Sequence, residues 1–187
     1  MTSRKEKTIA SSDPEREVLP PDLRDHFIEA RRKAYAGGGE YIMDNELLGF
    51  RVFRRDDPQR SYFYEDRYAT GPGNFSGFEL VRRARESSKA AEYNYAGGLT
   101  EQGKKIGEEA VYDKLKKFLL EHAEEVRFGK QVEFSFQDES GEWIYVGNGE
   151  VKDWGWEDKE IIIYNGAVVY ELNGSGICFI KRAQAIL

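Results

Sequence analysis

Apolar residues at Leu23, Phe27, Ala30 and Ala34 recur at spacings of four, three and four, which places them on one face of a helix. Pro20, Pro21 and Asp22 form a start signal before that stripe, and Gly37, Gly38 and Gly39 form a stop after it. A second stripe runs through Val111, Leu115, Phe118, Leu119, Ala123 and Val126, and predicts a helix from Glu108 to near Phe128 and Gly129. Thr100 can cap an earlier start, which Gly103 and Gly107 weaken.

Elsewhere the pattern has period two. Residues 49–55, 61–67, 75–83 and 89–95 read as strands after the first helix. Residues 130–136, 142–146, 159–164, 167–173 and 177–181 do so after the second. Turn chemistry separates them at Asp56-Asp57-Pro58, Thr70 to Asn74, Asp138 to Gly141 and Asn165-Gly166, and Gly97-Gly98 reads as a break. Alternation of apolar and polar positions marks antiparallel strands with one wet face. Residues 1–19 mix charge, Ser and Pro without apolar periodicity and read as a disordered tail.

The two sets of strands show a correspondence. Tyr62 and Trp143, Tyr64 and Tyr145, Phe75 and Trp156, and Glu79 and Glu160 are each 81 positions apart. Gly97-Gly98 matches Ser175-Gly176 at 78. The expected fold is therefore α+β: an internally duplicated helix plus antiparallel four-stranded meander. Its halves, 20–99 and 100–187, would pack as a pseudo-twofold single domain with a groove between them.

Composition narrows the function classes. The chain has 187 residues, a net charge of −6 and 13% aromatic residues, enough for one globular domain. Residues 48–99 carry nine Lys/Arg against seven Asp/Glu, whereas 100–187 carry 11 against 17. An acidic second half argues against nucleic-acid binding as the main task. One cysteine, Cys178, excludes an intrachain disulfide, and two distant histidines, His26 and His122, argue against a zinc site. No apolar run has membrane-spanning length, so a cytoplasmic protein is the expectation. No phosphate-binding loop or nucleophilic triad is present, and no metal or cofactor is expected.

Several strings carry a resemblance. EARRKAYAGGGE, YFYEDRYATGPGNFSGFELV and AEYNYAGG, with WEDKEI and YELNGSG later, resemble a bacterial and archaeal domain family of uncharacterised function. The likeness spans about residues 24–187. Members of that family occur alone or behind helix-turn-helix regulators. The chain departs from the pattern at Arg82 to Lys89, where a short turn is expected, and at Gly147, which stands where Asp66 has its counterpart. The resemblance implies no catalytic residues.

The candidate ligand-binding residues are Asp66, Tyr68, Glu79, Asn94, Tyr95, Trp154 and Trp156. Polar residues inside strand patterns can converge on one sheet face, although such residues more often satisfy turns and bulges. Aromatics supply area with a polar handle, although a plain sheet-to-helix core would use them too. Trp154 and Trp156 flank Gly155 and read as an exposed pair. The leading expectation is a non-catalytic binding or interaction module, taking a protein or small-molecule partner between the repeats, with a homodimer left open. One alternative is a hydrolase-like enzyme using Asp66 and Glu79 as paired carboxylates. Another is a regulatory accessory protein contacting nucleic acid through Arg82 to Lys89.

Overall fold

The structure is a computed structural model that describes residues 18–47, 49–57, 62–85 and 88–180. It begins with helix α1 (Pro21–Lys33) and strands β1 (Ile42–Met43), β2 (Arg51–Asp57), β3 (Tyr62–Gly71), β4 (Asn74–Arg83) and β5 (Lys89–Leu99). Two helices follow, α2 (Glu101–Ile106) and α3 (Glu108–Glu121). Strands β6 (Gln131–Asp138), β7 (Gly141–Lys152), β8 (Gly155–Tyr164) and β9 (Ala167–Cys178) complete the described chain. Most of residues 1–19, the expected tail, lies outside the described residues. Its last two positions do not behave as a tail, because Leu19 is buried in the core and Val18 packs against it.

All nine strands join one antiparallel sheet in the order β1-β2-β3-β4-β5-β9-β8-β7-β6. This corrects the expected α+β fold of duplicated helix-plus-meander units. The ladder runs without a boundary through β5 and β9, where Ala91–Leu99 pairs with Tyr170–Cys178. The helices also fail to match, with one before β1 and two between β5 and β6. The 81-residue correspondence of aromatic and acidic positions thus marks similar strand positions, and not two copies of one folded unit.

Glycines explain why the strand ends were read too short. Gly97 and Gly98 lie inside β5, and Gly174 and Gly176 lie inside β9, so 177–181 is no separate strand. A Cβ on Gly174 would fall on the Tyr93 hydroxyl, and one on Gly176 would fall on the Trp156 ring. These strands use glycine to let large rings lie flat across the sheet, a use of glycine that a sequence pattern reads as a break.

The helices cover one face of the sheet. Leu23, Phe27 and Ala30 of α1 pack with Tyr62, Tyr64, Val81, Tyr93 and Trp156. Val111, Leu115 and Phe118 of α3 pack with Trp143, Tyr145, Ile162 and Tyr170. On the opposite face Asn94, Glu157, Lys159 and Asn173 are exposed. There Arg67 forms ion pairs with Asp44, Glu46 and Glu65 at 2.6–3.2 Å. No described helix is long and apolar enough to cross a membrane.

α2 and α3 are two helices because the backbone turns at Gly107, whose φ is 112°. Only glycine adopts that conformation without strain. Thr100 caps α2 as expected, its hydroxyl accepting from the Gly103 N–H at 3.2 Å.

Candidate functional site

The helix-covered face of the sheet carries charge at its centre. Asp66 on β3 lies directly across from Glu79 on β4, and Glu160 and Asp158 lie on the same face of β8. All four are buried. Buried carboxylates need partners, because removal from water penalises the ionised form.

Two arginines supply them. Arg31, in the last turn of α1, donates from Nε to both Glu79 oxygens at 3.0 and 2.7 Å, and its Nη2 lies 2.6 Å from Oε2. The guanidinium is packed among the Phe27, Tyr93 and Phe128 rings, 4.7–5.0 Å from their centres. Arg127 follows α3 and bonds Glu160 through Nε and Nη2, while its Nη1 lies 3.6 Å from Glu79. Each glutamate thus has a guanidinium partner, and Glu79 has two.

The loop that delivers Arg127 is itself constrained. Arg127, Phe128 and Gly129 all have positive φ, at 66°, 59° and 76°. Two of these are not glycine, and for them the left-handed region is costly. Asp158 holds the loop there by accepting from the Phe128 and Gly129 N–H groups at 3.2 and 2.9 Å. Burial lifts the Asp158 carboxyl to about 6, against the downward pull of the Gly129 N–H.

Asp66 is different. It forms no ion pair among the described residues. Tyr41 donates to its Oδ2 at 2.5 Å and Tyr95 donates to its Oδ1 at 2.6 Å. Burial, and then the charge of Glu79, lift its carboxyl to about 7, while the two hydroxyls oppose that rise.

Above these residues, α1, α3 and strands β3, β4, β5 and β9 enclose a cavity of about 410 Å³. Asp66, Glu79, Arg31 and Arg127 reach it from below. The Tyr64 and Tyr170 rings also line it, and their buried hydroxyls have no hydrogen-bond partner among the described residues. Phe75 stacks on Tyr170 at 6.2 Å, and Tyr112 of α3 stands edge-on to both. Tyr68, Tyr95 and Tyr35 add further wall. The rim carries Glu108, Glu109, Asp113 and Lys116 from α3, with Thr70 and Asn74 from the β3–β4 turn.

Four of the seven sequence candidates meet here: Asp66, Tyr68, Glu79 and Tyr95. Three do not. Asn94 precedes Tyr95, so strand alternation sends it to the opposite face, where it bonds Glu92 at 3.2 Å. Trp154 is exposed in the β7–β8 turn, away from the cavity. Trp156, read with it as exposed, is fully buried and stacks on Tyr93 at 6.0 Å and 8°. Its reassignment to the core follows from the space above Gly176.

Arg31, Arg127, Tyr112 and Tyr170 were not foreseen. Arg31 had a signal, since it lies four residues after Phe27 on the apolar stripe. Arg127 had none, because its place depends on a left-handed loop. His122 stacks on Phe134 at 3.6 Å, a packing role. Among the described residues no cluster of His, Cys, Asp and Glu is arranged to hold a metal ion. The basic stretch Arg82 to Lys89 lies at the β4–β5 turn, where residues 86 and 87 fall outside the described residues, and Lys89 pairs with Glu92 at 2.7 Å. A scan of family models, a search of curated proteins and a search of solved structures each found no match.

Proposed function

We propose that this chain is a small-molecule-binding module whose ligand enters the cavity between α1, α3 and the sheet. The observation that carries this reading is the joint presence of a cavity of about 410 Å³, within the usual ligand-pocket range of about 300–1,000 Å³, and of convergent polar groups at its floor. Among the polar side chains that line it are Asp66 and Tyr95, joined by a hydrogen bond at 2.6 Å. The motif resemblance over residues 24–187 is retained as part of this proposal, and it adds no ligand.

Binding fits the geometry better than turnover. Asp66 and Glu79 share a face, as paired-carboxylate chemistry requires, but Glu79 is engaged by both arginines. A carboxylate so held is poorly suited to move a proton. The nucleic-acid reading through Arg82 to Lys89 has the weaker support, since Lys89 is already paired with Glu92 at 2.7 Å.

Fragment screening by protein-observed NMR tests the proposal. Hits are expected to perturb Tyr68, Phe75 and Tyr112. They are expected to lose at least about tenfold in affinity, roughly 1.4 kcal/mol, in the mouth-blocking variants Thr70→Trp and Asp113→Trp. Hits that bind equally well to both variants would place the ligand elsewhere and end this reading.

A further inference from the structure

The charges around the cavity do not balance. At its floor Arg31 and Arg127 are matched by Glu79 and Glu160, all engaged in ion pairs with one another. Asp66 is left over, anchored by two tyrosine hydroxyls and facing the cavity. At the rim, Glu108, Glu109 and Asp113 stand against Lys116 alone. Lys116 already sits over the Tyr35 ring, its Nζ 5.3 Å from the centre.

The walls have a matching preference. Phe75, Tyr112 and Tyr170 present a continuous aromatic surface, joined by Tyr95 and Tyr68. Ring faces attract cations, and most strongly where water is excluded. An anion would meet arginines whose donors already face carboxylates, and at the rim Lys116 among three carboxylates. A purely apolar ligand would leave the Asp66 charge uncompensated in the cavity.

Resting on the pocket reading above, we infer that the ligand class is an organic cation: a compact aromatic or alkyl ammonium whose charge lies near Asp66 among the rings of Phe75, Tyr112 and Tyr170. The carboxylate supplies the counter-charge and the rings supply the remaining contact. The acidic rim raises the local concentration of such cations at the mouth.

Titration calorimetry with three probes of similar shape tests this: benzyltrimethylammonium, its neutral carbon isostere neopentylbenzene, and the anion benzylphosphonate. The cation is expected to bind at least about tenfold more tightly than either of the others, and to lose that margin in Asp66→Asn. Tyr112→Leu is expected to weaken the cation more than the neutral probe. A quaternary ammonium cannot titrate, so its affinity is expected to rise as pH passes through about 7 and Asp66 ionises, and to level off above that. The groups packed around Asp66 are Glu79, Arg127, Tyr41, Tyr64 and Tyr95, so Asp66→Asn should abolish that rise. Preferential binding of the neutral or anionic probe, blocked by Thr70→Trp, overturns the cation inference and leaves the pocket reading standing. Binding of the cation unchanged in Asp66→Asn also overturns it. Failure of all three probes to bind the cavity overturns both.

Discussion

Asp66 sits beside Glu79 with no cation of its own, and that position has a cost that pH exposes. Its carboxyl, lifted by burial to about 7, holds a proton in the native state that the unfolded chain releases near 4. The native state therefore gains most below about pH 4, and that gain is lost as pH rises to about 7; Asp158, at about 6, adds to the same slope. Asp66→Asn keeps the size of the side chain and one acceptor for the tyrosines. It is expected to flatten the slope between about pH 4 and 7, and to stabilise the protein above about pH 7.5 by more than about 1 kcal/mol in urea unfolding. An unchanged slope would mean that Asp66 ionises normally. The two tryptophans near Gly155 give a sharper contrast. Trp156→Ala should cost about 3–5 kcal/mol, because it empties the space beside Tyr93, whereas Trp154→Ala at the exposed turn should stay within about 0.5 kcal/mol. Equal denaturation midpoints for the two variants would contradict the burial difference. The local sequence around these residues is similar: both flank the same glycine, and only the neighbouring strand decides which ring is covered.

At the level of elements, legibility followed the strength of the periodic signal. The α1 stripe from Leu23 to Ala34 predicted a helix that the structure contains, and the stripe from Val111 to Val126 predicted one to near Phe128, of which the structure contains Glu108–Glu121. The Asn165-Gly166 turn was equally clear, and Asn165 has the positive φ that such turns need. Strand ends were less clear. β5 continues through Gly97 and Gly98, which read as a break, and β7 continues past residue 146 through Gly147 and Gly149. Glycine does not distinguish a turn from a place where another ring or backbone lies close: Gly149, inside β7, has no room for a Cβ because the Gly129 backbone lies directly over it. The site suffered from the same blindness. The pairing of Asp66 with Glu79 comes from the strand register. The loop at Arg127 to Gly129 has no periodic signature, and neither arginine of the pair was foreseen from the sequence pattern.

Over the whole molecule, the continuous ladder has a mechanical consequence. β5 has β4 on one side and β9 on the other, and Tyr93 on β5 stacks on Trp156 of β8, so the N-terminal strands depend on the C-terminal ones. Unfolding followed by far-UV circular dichroism and by tryptophan fluorescence is expected to give one coincident transition. A fragment ending at residue 99 is expected to lack a cooperative transition, because it would expose the β5 edge and the Tyr93 face. Two separate transitions, or a folded fragment, would restore the idea of independent halves. The cavity likewise belongs to the assembled molecule, since its walls come from both helices and four strands.

The amino-acid order by itself determined two amphipathic helices, a run of antiparallel strands and an acidic second half. These depend on contacts close in sequence or on repeated spacing, which a linear pattern records. Tertiary structure alone decided that the strands form one sheet, that Trp156 is core, and that Arg31 and Arg127 neutralise Glu79 and Glu160 while Asp66 remains without a counter-ion. Those outcomes depend on pairings up to about a hundred residues apart, whose burial and charge balance exist only after the chain has closed on itself.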